Sequence, residues 1–170
     1  REGKDAAGIA YGSDMIFDHM SVTWGRDECF SINGDPKKPA DLPRNITIQN
    51  SFIGQGLQPH SCGGLIQTTI NDGVTLYRNL YIDNKTRNPK VKGLNQFVNN
   101  VLYNWGNGGA YIMGDTQQKS DADIRNNYFI VGTTDNYDGK KLGATAPFTR
   151  YNEHFSAYLS GNFYDDNKDG

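Results

Sequence analysis

Arg87 opens the segment of the chain most suited to chemistry, Arg87-Asn88-Pro89-Lys90-Val91-Lys92. Its cations can bind carboxylates, the lysines as point charges and the arginine as a planar fork. Arginine normally stays protonated, and only a cationic, partly desolvated setting would disfavour its charge. Arg87 could instead pair with a carboxylate on the outside of the fold. Pro89 is expected to stiffen the bend that presents Arg87.

Short β-forming segments must position these residues, because the chain is rich in turn formers and poor in helix formers. It contains 18 Asn and 20 Gly but only three Glu, a composition that favours strands joined by tight turns. Segments of alternating apolar residues recur at 15–20, 46–53, 74–82, 97–103, 124–130 and 158–164. Each alternating run is followed by a small or amide residue at a bend and then by a further apolar pair. This self-similarity predicts a repeat architecture.

The bends of these segments align at Met20, Ser51, Asn79, Asn100, Asn127 and Asn162. Their spacings of 31, 28, 21, 27 and 35 residues fit coils with strands of fixed length and loops of variable length. An Asn at a stacked bend can donate to one neighbouring coil and accept from the other. We therefore predict an all-β fold, a right-handed parallel β-helix. An antiparallel sandwich, whose turns also use Asn and Gly, is the alternative.

The charge and hydropathy of the chain argue against two classes of partner. The net charge of −2 and the pI of about 5.9 provide no basic field for a nucleic acid. No run of about 18 apolar residues is present to cross a membrane. We therefore expect a protein that binds neither nucleic acid nor membrane.

Four motifs, in order and at similar spacing, resemble those of polysaccharide lyase family 1, the pectate and pectin lyases. Residues 17–25 (FDHMSVTWG) resemble the family signature W-I-D-H-C-S-x-S-W-G. Residues 45–52 (NITIQNSF) resemble the coil N-V-T-I-S-N-N-L-F, and residues 86–92 (TRNPKVK) resemble the element R-x-P-x-x-R. Residues 99–105 (NNVLYNW) are similar to the coil N-N-x-x-Y-N-W.

The resemblance implies a secreted, extracellular enzyme that cleaves α-1,4-polygalacturonan by β-elimination to 4,5-unsaturated oligogalacturonides. Arg87 then corresponds to the base, and Lys92 to a substrate-binding residue that is usually a second Arg. The coil before Arg87 usually presents a Lys to the substrate. This chain has none there, and His60 is its chargeable substitute. A non-catalytic β-helix that binds pectic glycans or serves a structural role is an alternative.

The resemblance also implies a Ca²⁺ site, with Asp5 and Asp27 as ligands from two adjacent coils. The site looks thinned, because Gly3 and Ser31 stand where carboxylates are usual. A second alignment places Arg26, rather than Asp27, in the cleft. It would bind substrate as in pectin lyases, which act on methylated pectin without calcium.

Cys29 and Cys62 lie 33 residues apart, close to the length of one coil. Stacked strands are about 4.8 Å apart, within the range that a disulfide spans, so a bridge and two buried thiols are both open. Trp24 is expected to pack in the fold. We expect residues 1–170 to form a single β-helix domain that lacks N-terminal coils and a cap, and to be monomeric.

Overall fold

The computed structural model describes residues 3–35, 37–106, 108–133, 136–137, 140–141 and 146–169. Over these residues, the secondary structure consists of twenty short strands and one 3₁₀ turn, Pro39–Asp41. Eighteen of the strands form three parallel sheets of six strands each. The predicted right-handed parallel β-helix is thus confirmed.

Sheet 1 contains β1 (Ala7–Ile9), β4 (Phe30–Asn33), β7 (Leu65–Gln67), β10 (Lys90–Lys92), β13 (Tyr111–Met113) and β18 (Phe148–Thr149). Sheet 2 contains β2 (Ser13–Asp18), β5 (Arg44–Gln49), β8 (Val74–Tyr77), β11 (Leu94–Val98), β14 (Ser120–Arg125) and β19 (Phe155–Ser160). Sheet 3 contains β3 (Ser21–Thr23), β6 (Phe52–Gly54), β9 (Leu80–Ile82), β12 (Val101–Tyr103), β15 (Tyr128–Ile130) and β20 (Phe163–Asp165). The remaining pair, β16 (Asn136–Tyr137) and β17 (Lys140–Lys141), is antiparallel.

Each coil takes one strand from each sheet, so the described residues form six coils. Coil 1 contains β1 to β3, and coils 2 to 5 follow in steps of three strands. Coil 6 contains β18 to β20, after the β16–β17 hairpin. A strand in one coil therefore pairs with the strand about one repeat away in sequence, which explains the regular spacing of the bends.

Residues that alternate inward along each strand stack in rows and build one core. The row along sheet 3 consists of Val22, Ile53, Tyr81, Leu102 and Phe129, all buried and in register. Sheet 1 contributes a second row, Ile32, Ile66 and Val91, each at most 1% exposed. Side chains in strands alternate with a period of two, so the neighbouring positions face outward. On β10 of sheet 1 the outward positions are Lys90 and Lys92, which are partly exposed.

An amide ladder runs along the turn between sheets 2 and 3, at the bends predicted from the sequence. Each backbone N–H in the ladder donates to the side-chain oxygen one coil onward, over 2.8–3.1 Å. The pairs are Met20 to Ser51, Ser51 to Asn79, Asn79 to Asn100, Asn100 to Asn127 and Asn127 to Asn162. The Asn Nδ2 groups donate to carbonyl oxygens of the preceding coil, such as Asn100 to Leu76 at 2.9 Å. Each of these Asn side chains thus both donates to and accepts from the preceding coil, whereas the sequence predicted that it would donate to one neighbouring coil and accept from the other. Asn100 and Asn127 also donate to the Asn Oδ1 of the following coil, over 3.1 and 2.9 Å.

Candidate active site

The segments that lead into sheet 1 stack on one another and bring the candidate residues together. The Ala6 N–H donates to the Glu28 carbonyl over 3.0 Å, and the Cys29 N–H donates to the Cys62 carbonyl over 2.8 Å. Cys62 in turn pairs in parallel with both Glu28 and Thr86. Four successive coils therefore meet at this place, which we call the sheet 1 entry. Its chemically active side chains are Asp5 from coil 1, Asp27 and Glu28 from coil 2, His60 and Cys62 from coil 3, and Arg87 from coil 4.

Arg87 forms an ion pair with Glu28 at the sheet 1 entry, between Nη1 and Oε1. The Glu28 side chain is 5% exposed, whereas the Arg87 side chain is 29% exposed. Burial raises the pKa of Glu28 and outweighs the opposing effect of Arg87, and the charges of Asp27 and Asp5 raise it further. Burial alone would lower the pKa of Arg87, but the negative charges that Cys62 and Glu28 can carry raise it. The pair therefore holds Arg87 in its protonated form.

The backbone at Arg87 lies in the left-handed region, with φ of 54°. This region is unfavourable for a residue with a Cβ and is held here by the surrounding structure. The Gly64 N–H donates to the Arg87 carbonyl over 2.7 Å and the Asn88 N–H donates to Ala110 over 2.8 Å, which fixes the bend between coils 3 and 5. The bend aims the Arg87 side chain at coil 2.

Two lysines follow Arg87 on β10 and point outward from sheet 1. Lys92 Nζ donates to Gln67 Oε1 over 2.8 Å, and Lys90 Nζ lies 3.6 Å from Asp115 Oδ2. Burial lowers the pKa of Lys92, and the like charges of Lys90 and Arg87 lower it further. Coil 4 therefore presents a cationic patch suited to carboxylates, and the substrate-binding role of Lys92 stays a prediction.

Asp27 and His60 meet at the sheet 1 entry, where His60 Nε2 lies 3.0 Å from Asp27 Oδ1. Both side chains remain substantially exposed, at 37% for Asp27 and 49% for His60. Asp5 Oδ1 accepts the Glu28 N–H over 3.2 Å, so it lies on the same edge one coil away. The structure thus brings Asp5, Asp27, His60 and Arg87 to one place.

The donors of this edge fit a calcium ion only in part. Calcium takes six to eight oxygen ligands. Asp27 and Asp5 offer carboxylates from adjacent coils, but Glu28 is engaged by Arg87, and Ser31 is a buried hydroxyl on β4. Substrate carboxylates and water would have to supply most of the coordination.

Arg26 and Trp24 lie on the exposed side of the turn before Glu28. Arg26 is exposed, and its backbone N–H donates to the Lys4 carbonyl over 3.0 Å. The side-chain contacts of the entry belong to Asp27, which favours the alignment that places Asp27 in the cleft. Trp24 is 65% exposed, so the expectation that it packs is wrong. Gly25 between them has a steric role, because a Cβ there would collide with the Glu28 carbonyl.

Both cysteines are buried free thiols, so the structure adopts the second of the two options that the sequence left open. Glu28, not Cys29, is the register partner of Cys62. Because strand side chains alternate, Cys29 and Cys62 face opposite sides of the chain path. Cys29 belongs to the core and directs Sγ toward the Gly54 carbonyl, at 3.4 Å. Cys62 directs Sγ toward the His60 carbonyl, at 3.8 Å, and burial raises the pKa of its thiol to about 12.

Sequence reasoning missed the roles of Glu28 and Cys62. The pair of Glu28 with Arg87 joins residues 59 positions apart, so no local motif predicts it. The spacing of Cys62 from Cys29 likewise gives no indication that Cys62 faces Glu28. One available signal was that Glu28 is one of three Glu in the chain and lies directly beside a predicted ligand.

Comparison with known proteins supports the resemblance drawn from the motifs. No family model matches the chain. The chain is 60% identical, over 168 residues, to a Neosartorya fischeri protein named "Probable pectate lyase C"; the match covers 99% of the chain and 36% of that protein. Proteins of the same name from Aspergillus flavus and Emericella nidulans are 59% and 56% identical, again over 99% of the chain. The chain spans about a third of the length of these curated relatives.

The fold is a parallel β-helix, and its candidate site is the sheet 1 entry, where acidic and basic side chains lie together. The comparisons make this more specific, because the chain is homologous along nearly its whole length to part of the pectate lyase C proteins. The resemblance to the pectate lyases is thereby confirmed.

Proposed function

We propose that the protein carrying this chain is a secreted pectate lyase that cleaves α-1,4-polygalacturonan by β-elimination. The observation that carries the proposal is the position of Arg87, beside Asp27 and His60 and on the same coil as the cationic Lys90 and Lys92. The names of the relatives support the same reaction. The products would be 4,5-unsaturated oligogalacturonides.

β-Elimination removes the proton from C5 of a uronate ring and breaks the bond between C4 and the glycosidic oxygen. The electron pair of the C5–H bond becomes the C4–C5 double bond, and the leaving oxygen takes up a proton. The proton on C5 becomes acidic only when the neighbouring carboxylate charge is offset. Lys92 and Lys90 supply positive charge for that purpose from the outer face of sheet 1.

Arg87 is proposed as the base that takes the C5 proton, and it must first lose a proton of its own. Its pair with Glu28 opposes that loss, whereas its partial burial favours it. Entry of a uronate carboxylate beside Lys92 and His60 would desolvate the entry. Arg26, at the exposed side of the turn, is proposed as a further contact for the polymer.

Calcium is proposed as the cofactor, with Asp5 and Asp27 as its protein ligands. These two residues would hold the ion, whose positive charge would offset the negative charge next to C5. Asp5 and Asp27 lie on adjacent coils of the same edge, which supports their pairing as ligands.

The protein is proposed to act outside the cell as a monomer, on a polymeric substrate. Within the part of the chain that the structure describes, no helix combines the length and apolarity needed to span a bilayer.

Release of ultraviolet-absorbing unsaturated uronides tests the proposal, with polygalacturonate and highly methylated pectin as substrates. We expect release from polygalacturonate that EDTA abolishes and added calcium restores. Release from methylated pectin that is indifferent to EDTA would instead indicate a pectin lyase. No release from either substrate by the folded protein would leave a non-catalytic β-helix.

A further inference from the structure

A cluster of four different donor side chains lies at the sheet 1 entry, separate from the carboxylate of Asp5. One ligand atom each from Asp27, Glu28, His60 and Cys62 lies within 4.8 Å of the others. Two of these residues come from coil 2 and two from coil 3, so the backbone bonds between the coils hold the cluster together. The cluster offers carboxylate oxygen, imidazole nitrogen and thiol sulfur at one point.

Glu28 differs from the other three residues of the cluster, because its carboxylate already forms an ion pair with Arg87. Among the described residues, Arg87 is the arginine that lies against the cluster, and its pair with Glu28 neutralises its charge. Three donors remain: the Asp27 carboxylate, His60 Nε2 and the Cys62 thiol. They are one oxygen, one nitrogen and one sulfur donor, held together by the pairing of coils 2 and 3.

This donor set differs in kind from the one that calcium prefers. Calcium selects oxygen ligands and gains little from imidazole or sulfur. Zinc binds carboxylate, imidazole and thiolate with bonds of about 2.0–2.3 Å and accepts three protein ligands with an open fourth position. Such bonds place tetrahedral ligand atoms about 3.3–3.8 Å apart, so the side chains would move closer together on binding zinc. The Asp27 and His60 side chains are exposed enough for an ion to enter.

We infer that Asp27, His60 and Cys62 form a zinc site in this protein, which overlaps the calcium site proposed above at Asp27. On binding, the S–H bond of Cys62 breaks, a sulfur–zinc bond forms and the proton passes to water. Asp27 is shared by the two sites, so zinc and calcium compete for it. The site does not depend on lyase activity, and its test needs no substrate.

Cobalt(II), a spectroscopic substitute for zinc, tests the site under reducing conditions. Titration of the protein with Co²⁺ should produce a thiolate-to-cobalt charge-transfer band that one equivalent of Zn²⁺ removes. Cys62→Ser should abolish the band and weaken Zn²⁺ binding, measured by calorimetry, at least about tenfold. Cys29→Ser is the matched control, because it alters the other buried thiol, in the core, and should leave the band and the Zn²⁺ affinity unchanged.

His60→Gln provides a second variant in case Cys62→Ser does not fold, since the His60 side chain is half exposed. It should also weaken Zn²⁺ binding at least about tenfold, while circular dichroism remains that of wild type. A wild-type protein without the charge-transfer band would overturn the inference. So would a band lost in Cys29→Ser rather than Cys62→Ser, or an affinity for Zn²⁺ no higher than that for Ca²⁺.

Discussion

The amide ladder and the sheet 1 entry occupy the same coils but use the stacking of the coils in opposite ways. The ladder repeats one kind of side chain, and each Asn side chain in it accepts a backbone N–H of the preceding coil and donates to a backbone carbonyl of that coil. At the entry, each coil presents different side chains, and the buried Glu28 carboxylate pairs with Arg87. In the ladder, the repeated Asn side chains satisfy the hydrogen bonds of backbone groups. At the entry, the different side chains bring opposite charges together. Substitutions in the ladder should therefore mainly lower the stability of the fold, whereas substitutions of the charged residues on coil 4 should mainly lower activity.

Loss of a ladder amide should produce the largest effect on stability. Asn100→Ala removes the acceptor of the Asn79 N–H and the donor to the Leu76 carbonyl, and both groups are buried. Each unsatisfied buried group costs about 1–3 kcal/mol, so the free energy of unfolding should fall by roughly 3–5 kcal/mol. Chemical denaturation with urea measures this change.

Asn71→Ala is the control for the ladder variant, because Asn71 is exposed in a loop. Its effect should stay within about 0.5 kcal/mol. Similar losses for the two variants would mean that the ladder contributes no more than an ordinary surface amide.

Glu28 and Arg87 should show the next largest effect, as an energetic coupling. A double-mutant cycle of Glu28→Gln and Arg87→Gln should give a coupling energy of about 1–2 kcal/mol, reduced from that of a fully buried pair because Arg87 is partly exposed. Unfolding in urea of the two single variants and the double variant measures it. A cycle of Glu28→Gln with Arg44→Gln, which lies on sheet 2, should be additive within about 0.5 kcal/mol. A coupling near zero for Glu28 and Arg87 would show that the pair does not exist in solution.

Lys92→Ala should raise the KM for polygalacturonate about tenfold, with a smaller change in kcat, because Lys92 binds substrate charge. Its folding should be nearly unaffected, in contrast to the ladder variant. Lys119→Ala, which removes an exposed lysine near Asp121 of sheet 2, is the matched control. Steady-state kinetics measure the KM of both variants. Equal KM values for Lys92→Ala and Lys119→Ala would refute the role of Lys92 in substrate binding.

The smallest effect is expected from reducing agents. Because Cys29 and Cys62 are free and face opposite sides, reduction should leave the melting temperature unchanged within about 1 °C. A disulfide that closed a loop of this size would stabilise the protein by about 3–4 kcal/mol. A fall of several degrees on reduction would show that the thiols are bridged after all.

The ladder was predictable because its signal repeats along the sequence. Asn79, Asn100, Asn127 and Asn162 recur at coil spacing, and each position demands the same two hydrogen bonds.

The details of the entry were less predictable, because they depend on register between coils. Motifs indicated Arg87 and Asp27, but the pair of Arg87 with Glu28 reaches from coil 4 to coil 2 past the coil of Cys62. A shift of one residue in the register between coils 2 and 3 decides whether Cys62 lies opposite Cys29 or Glu28. The number of residues between the two cysteines does not determine that register. The exposure of Trp24 has the same origin, since its φ of 63° turns the chain out of the strand.

The most direct test of the account is the rate of unsaturated uronide release by Arg87→Ala, beside wild type and Arg44→Ala. A catalytic base contributes about 10²–10⁴-fold, so Arg87→Ala should lose activity on polygalacturonate by that factor while its circular dichroism stays that of wild type. Arg44→Ala should retain full activity. An Arg87→Ala protein that is folded and keeps activity within about threefold of wild type would contradict the assignment of Arg87 as the base.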